Sequence, residues 1–121
     1  MNAFKRTLIL GTVSFVALGP AKADVLRHAQ VVAANEADYK TNIQLIPTFN
    51  AMLKKSPGLK VIYVAFDPAK NTFTNTSIWD NAQSIAVVTG SDEWKATVAK
   101  LRTSGLNIEV LEIQPDLSSH N

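Results

Sequence analysis

The segment PGLKVIYVAFDPAKNTFTNTSIW, residues 57–79, holds the pattern that decides the fold. Residues 59–66 are rich in β-branched and aromatic side chains, which predicts a strand buried on both faces. Residues 67–71 contain a proline and polar side chains typical of a turn. Residues 72–79 alternate between two faces, as a second strand does. Since five residues separate the two runs, they predict an antiparallel hairpin that ends at Trp79.

The chain before the hairpin predicts one strand and one helix. Residues 25–34 alternate, and one of their two faces is apolar except for Arg27. Residues 39–55 follow helical spacing, with Pro47 either bending the helix or dividing it in two. Two cap-type residues could open this helix: Asn35 and Asp38.

The chain after the hairpin repeats that layout in reverse. Asp80 predicts the N-cap of a short apolar helix over residues 82–88. Ser91 predicts the cap of a second helical piece over residues 92–103, and a last strand follows over residues 106–113. The whole order is βαββαβ, which predicts an α+β, ferredoxin-like domain: a four-stranded antiparallel sheet with two helices on one face.

The N-terminal residues 1–23 have the pattern of a cleaved signal peptide. A basic start precedes the uncharged apolar stretch 7–19, and Ala21-Lys22-Ala23 fits a small-x-small cleavage site. Thirteen apolar residues are too few to span about 30 Å of hydrocarbon, which disfavours the alternative of an uncleaved anchor. We therefore expect cleavage after Ala23, export to the periplasm or medium, and a single domain over residues 24–121.

Composition excludes several classes of function. The 98 residues that remain after cleavage carry nine of the twelve basic side chains and all ten acidic ones, a net charge near −1. A chain with that charge predicts no nucleic-acid partner and no membrane-surface partner. With no cysteine and two histidines, no metal site, cofactor site or disulfide is expected.

Residues 57–100 resemble a known family. The Pro-Gly helix stop, the Asp-Pro turn, Ile78-Trp79-Asp80 and Ser91-Asp92-Glu93-Trp94 are similar to the dimeric α/β-barrel superfamily, and within it to antibiotic-biosynthesis-monooxygenase-like domains. The resemblance implies a homodimer of two sheets packed face to face, a ligand pocket between sheet and helices, and, in some members, cofactor-independent oxygenation of quinol-like aromatics. Haem-degrading relatives use a histidine on the second helix. Residues 80–105 contain none, which disfavours that activity.

The hairpin and the first strand supply the candidate site residues. Trp79 could stack on a flat ligand or pack between sheet and helix. His28 could act as a general base or be an ordinary half-exposed strand residue. Tyr63, Asn75 and Ser77 could orient a ligand oxygen or be ordinary strand residues.

Together these residues favour an exported protein that binds a small apolar or aromatic molecule. The predicted chemistry is that of a cofactor-independent monooxygenase, with His28 as the catalytic base. Two alternatives stay open: a periplasmic ligand-binding module without catalysis, and a structural dimerisation module. A cavity well under about 300 Å³ would favour the structural alternative.

Overall fold

The computed structural model describes residues 23–114, which fold as one α+β domain. The strands form a single antiparallel sheet in the order β2-β3-β1-β4, and the predicted ferredoxin-like fold is confirmed. The predicted signal peptide, up to residue 22, and the tail from residue 115 lie outside the described residues. The elements are β1 (Val25–Val32), α1 (Glu36–Gln44), α2 (Ile46–Lys54), β2 (Leu59–Asp67), β3 (Thr72–Trp79), α3 (Ala82–Thr89), α4 (Asp92–Val98) and β4 (Gly105–Glu112).

The central strand β1 distinguishes the two faces of the sheet most clearly. Val25, Arg27, Ala29 and Val31 are buried under the helices, and we call this side the helix face. The residues between them are only partly buried and lie on what we call the open face. Because opposite residues of paired strands share a face, the register extends this division to every strand.

The core lies between the helix face and α2, α3 and α4. Its largest fully buried side chain is Trp79, and the rings of Phe49 and Trp94 meet edge to face at 4.9 Å. The cluster is completed by aliphatic and thioether side chains: Val25, Met52, Leu53 and Ile85.

The first helical region is two helices, which resolves the conflict at Pro47. Pro47 occupies the first turn of α2, where a missing N–H breaks no helical hydrogen bond. Leu45 separates the two helices, and Asn35 caps the first by accepting a bond from the Asp38 N–H. The helix therefore begins at Glu36, three residues earlier than predicted.

The second helical region is also divided, as predicted, with Ser91 capping α4. The N-cap of α3 is Asn81, so the prediction of Asp80 is wrong. The backbone N–H of Asp80 instead donates to the Gly58 carbonyl at 2.9 Å. This bond joins the residue after β3 to the residue before β2. The last helix ends at Val98 rather than at residue 103.

Where a last turn of α4 was predicted, the chain is held instead by a pair of hydrogen bonds to Asn42, which we call the Asn42 clasp. The side-chain amide of Asn42, on α1, donates to the Arg102 carbonyl at 3.0 Å and accepts from the Arg102 N–H at 2.7 Å. Asn42 is almost fully buried, so this pair of bonds is shielded from water. The clasp joins the first helix to the segment that leads into β4.

Strand β2 is less buried than its apolar sequence predicts. It lies at one edge of the sheet, and Tyr63 and Phe66 are exposed. Its apolar side chains lie on both sheet faces, and at this edge even Phe66, on the helix face, is half exposed. Over residues 23–114, no helix has the length and apolar character needed to cross a membrane.

Candidate functional site

A small cavity separates the helix face from α2 and α4. Its volume is about 70 Å³, far below the roughly 300–1,000 Å³ of pockets for drug-sized ligands. Its wall beside β4 is incomplete, because Leu106 and Ile108 line it and are each nearly half exposed. The remaining lining residues are Arg27, Ala29, Val31, Phe49, Phe73, Asn75, Trp94, Val98 and Leu101.

Arg27 is the charged group of this cavity. Its side chain is 5% exposed, and its guanidinium carbon lies 5.2 Å from the centroid of the Trp94 ring. Within residues 23–114, Arg27 makes no hydrogen bond or ion pair from its side chain. Burial lowers the pKa of Arg27 to about 10, because the charged form loses water without gaining a partner. The guanidinium is thus a cation at neutral pH.

Asn75, on β3, is the second polar group of the cavity. Its Nδ2 donates to Asn50 Oδ1 at 2.9 Å. Its Oδ1 is buried and has no hydrogen-bond partner in the described part of the chain, a rare situation for a polar atom in a folded protein. Asn75 is opposite Ala29 on β1, one step along the helix face from Arg27. Arg27 and Asn75 are therefore the two polar residues of an otherwise apolar lining, and each has a polar group without a partner within residues 23–114.

Trp79 and Ser77 are placed in the core. Trp79 is fully buried, and its indole N–H donates to Ser77 Oγ at 2.8 Å. Neither residue lines the cavity. The structure thus gives Trp79 the packing role that the sequence left open as its alternative, with a side-chain hydroxyl as the acceptor.

His28 and Tyr63 are placed on the open face, on the other side of the sheet from the cavity. His28 Nδ1 lies 2.8 Å from Thr76 Oγ1, and both residues are partly buried. Tyr63 is opposite Thr76 across the sheet and is 61% exposed. Because β1 residues alternate between faces, His28 cannot reach a ligand that contacts Arg27 on the helix face. The structure therefore places His28 and Trp79 on opposite sides of the sheet.

Of the predicted residues, Asn75 alone lines the cavity, and sequence reasoning missed Arg27 and Trp94 as site residues. The signal for Arg27 was present: it is the one charged residue on an otherwise apolar strand face. Burying a charge without a partner costs free energy. A charged residue on an apolar strand face therefore indicates either a ligand site or a position at the edge of the sheet. For Trp94, helical spacing indicated a buried face but not a contact with Arg27.

The cavity lining limits the chemistry available. Apart from Arg27, its residues are aliphatic, aromatic or amide side chains, so it offers no carboxylate, imidazole or phenol as a base. Among residues 23–114, no group of three potential metal ligands comes together. The arrangement can bind, orient and electrostatically stabilise a ligand, but no lining side chain can accept its proton.

The fold and this cavity define a class: a ferredoxin-like α+β domain with a chamber between sheet and helices. Comparison with known proteins finds solved structures with the same fold. By sequence, the chain matches no family model and no curated protein.

Similar solved structures include a conserved protein of unknown function and candidate oxidoreductase from Bacteroides thetaiotaomicron VPI-5482. It has 17% identity and a TM-score of 0.68, over 77% of this chain and 100% of that one. A candidate antibiotic biosynthesis monooxygenase from Caulobacter crescentus CB15 has 16% identity and a TM-score of 0.68, over 77% and 92%. SnoaB, a cofactor-independent oxygenase from Streptomyces nogalater, has 13% identity and a TM-score of 0.63, over 82% and 100%.

At these identities the likeness establishes the fold. The resemblance to antibiotic-biosynthesis-monooxygenase-like domains, predicted from the sequence, is confirmed at that level. The structural neighbours include proteins named as oxygenases and oxidoreductases, and their activities belong to them.

Proposed function

We propose that this protein binds a small, largely apolar or aromatic molecule in the cavity and acts as a cofactor-independent monooxygenase on an aromatic or quinol-like substrate. One observation carries the binding proposal: Asn75 lines the cavity, and its buried Oδ1 has no hydrogen-bond partner within residues 23–114. A ligand hydroxyl that donates to this oxygen would satisfy it. The names of the structural neighbours support the choice of oxygen chemistry.

The cavity is too small to enclose an aromatic ring system, so only part of the ligand enters it. A ligand of about ten or more non-hydrogen atoms would leave the cavity beside β4, where Leu106 and Ile108 offer an exposed apolar surface. With no base in the lining, the reaction would depend on a substrate that loses its own proton readily, and on Arg27 to stabilise the anion.

Oxygen consumption by the purified processed protein tests this function. We expect a panel of quinols to be oxidised, with the rate reduced about tenfold or more in Asn75→Ala, because substrate orientation is lost. His28→Ala serves as the matched variant on the open face and is expected to retain the rate. Loss of activity in His28→Ala instead would move the reaction to the open face. No oxygen consumption above the rate without protein would remove the enzymatic function.

A second candidate, ligand binding without catalysis, is favoured by the lack of a base in the cavity lining. Binding of aromatic ligands without oxygen consumption would establish it. The volume of about 70 Å³ also favours the third reading, a structural dimerisation module without a ligand. That reading requires that no small molecule shifts the resonances of cavity residues.

We also propose that the chain is exported after cleavage at Ala23 and forms a homodimer through the open face. Leu26, Ile78 and Val61 form an apolar row across this face, and Leu111 at its end is exposed. An apolar sheet face of this kind is stabilised by a cover. Sedimentation tests the dimer: a compact monomer at micromolar concentration would contradict it, and Leu26→Glu is expected to produce one. An intact mass that retains residues 1–23 would contradict export.

A further inference from the structure

The charge on Arg27 is not compensated by any group in the described part of the chain. The acidic side chains of residues 23–114 that form ion pairs do so elsewhere, with Lys40, Lys55 and Lys60. On the helix face, the neighbours of Arg27 across the sheet are Ser77 and Val110. Removing a guanidinium from water without a counter-charge is strongly unfavourable.

The contact with Trp94 offsets this cost only in part. The guanidinium lies within the roughly 6 Å over which a cation and an aromatic face attract. The burial that lowers the pKa of Arg27 leaves its cationic form with little surrounding water. A guanidinium has five N–H donors in a planar fork, and a ring face satisfies none of them by a conventional hydrogen bond.

The chemistry that would satisfy these donors is a planar anion with two acceptor oxygens. A carboxylate matches the guanidinium fork with two parallel hydrogen bonds, which are stronger than bonds between neutral groups. A carboxylate head is also small enough for a cavity of about 70 Å³. The apolar lining and the exposed Leu106 and Ile108 suit an apolar body attached to that head.

We infer that the cavity recognises a carboxylate, with Arg27 binding the carboxylate group of an apolar or aromatic carboxylic acid. This inference rests on the proposed function, because it names the chemical class of the ligand for the same cavity. Asn75 Oδ1 would accept a hydrogen bond from a hydroxyl substituent near the carboxylate. The negative charge of the ligand would then offset the buried cation, and each would stabilise the other.

Titrations followed by NMR test the inference with three probes: benzoate, its neutral isostere benzamide, and acetate. The readouts are the Nε–H resonance of Arg27, assigned by its loss in Arg27→Met, and the indole N–H resonance of Trp94. We expect benzoate to shift both, with a Kd about tenfold or more below that of benzamide. Arg27→Met should abolish this preference, and Arg27→Lys should keep part of it. Lys60→Met, which removes an exposed cation, should leave the preference unchanged.

The outcomes separate the two proposals. Equal binding of benzoate and benzamide, or a benzoate preference that survives in Arg27→Met, would overturn the carboxylate inference and leave small-molecule binding in place. A shift of Arg27 by acetate but not by benzoate would support the carboxylate and overturn the aromatic ligand of the proposed function. No shift by any probe in the folded protein would overturn both.

Discussion

Arg27 and His28 are adjacent in the sequence, and the sheet places them in opposite environments. His28 lies on the open face, partly buried, with Thr76 as its hydrogen-bond partner. Arg27 lies on the helix face, almost fully buried, with an aromatic ring as its nearest charge-stabilising neighbour. Local structure explains His28, which has a partner and nearby water. Local structure does not explain Arg27, because its burial lowers the stability of the fold. The cavity beside Arg27 is therefore a better candidate for the functional site than His28.

The largest expected effect on stability comes from comparing an aromatic residue on the helix face with one on the open face. Trp79→Ala should lower the free energy of unfolding by about 3–5 kcal/mol, because it empties the centre of the core. Tyr63→Ala, on the open face, should lower it by about 1 kcal/mol or less. Urea denaturation of both variants measures the contrast. A Tyr63→Ala loss as large as that of Trp79→Ala would show that the open face is covered in solution.

The next effect has the opposite sign. Arg27→Met should raise the free energy of unfolding by about 1–3 kcal/mol, because the gain from removing an unpaired buried charge exceeds the lost contact with Trp94. Lys60→Met provides the control, since the exposed pair of Lys60 with Asp24 is worth at most about 1 kcal/mol. A destabilised Arg27→Met protein would mean that an anion already compensates the guanidinium in the folded state.

The difference in free energy of unfolding between wild type and Arg27→Met should depend on pH. The folded-state pKa of Arg27, about 10, lies below that of the unfolded chain, so above pH 10 the unfolded state binds more protons at this site. Stability from this site therefore rises with pH there, and the advantage of Arg27→Met shrinks by about 1 kcal/mol per pH unit. Denaturation of wild type and variant at pH 8 to 11 measures the difference and cancels other titrating groups. A constant difference would contradict the assigned pKa.

The smallest effect concerns the histidine. Thr76→Val removes the partner of His28 and should cost about 0.5–1 kcal/mol, because one partly buried hydrogen bond is lost. Thr74→Val is the matched control on the same strand and face, where the structure gives the threonine hydroxyl no partner within residues 23–114. Equal losses in the two variants would mean that the His28–Thr76 bond contributes nothing to stability.

Strand alternation made most of the fold predictable from the sequence. The pattern of β1 and β3 assigned each residue to the correct sheet face, because a period of two leaves little freedom once one face is apolar. The hairpin and the βαββαβ order followed from turn chemistry. The N-cap of α3 was predicted wrongly as Asp80, since aspartate and asparagine are both good caps; in the structure the Asp80 N–H bonds to Gly58 and Asn81 accepts from Ser84.

The site was less predictable than the fold. Asn75 was identified as a candidate, but its bond to Asn50 and its unpaired oxygen depend on how α2 packs on the sheet. Arg27 was seen only as an interruption, because charged residues are almost always exposed unless paired. His28 attracted attention through its chemistry, although its position in the alternation already assigned it to the face opposite Asn75 and Trp79.

The Asn42 clasp has a consequence for how the domain opens transiently. Its two hydrogen bonds tie α1 to the segment before β4, two regions separated by 60 residues of chain. Cooperative units in native proteins open together when such ties cross between them. Amide protons in α1 and in residues 99–104 are therefore expected to exchange with deuterium at similar rates, and faster in Asn42→Ala, while β4 stays protected by its pairing with β1.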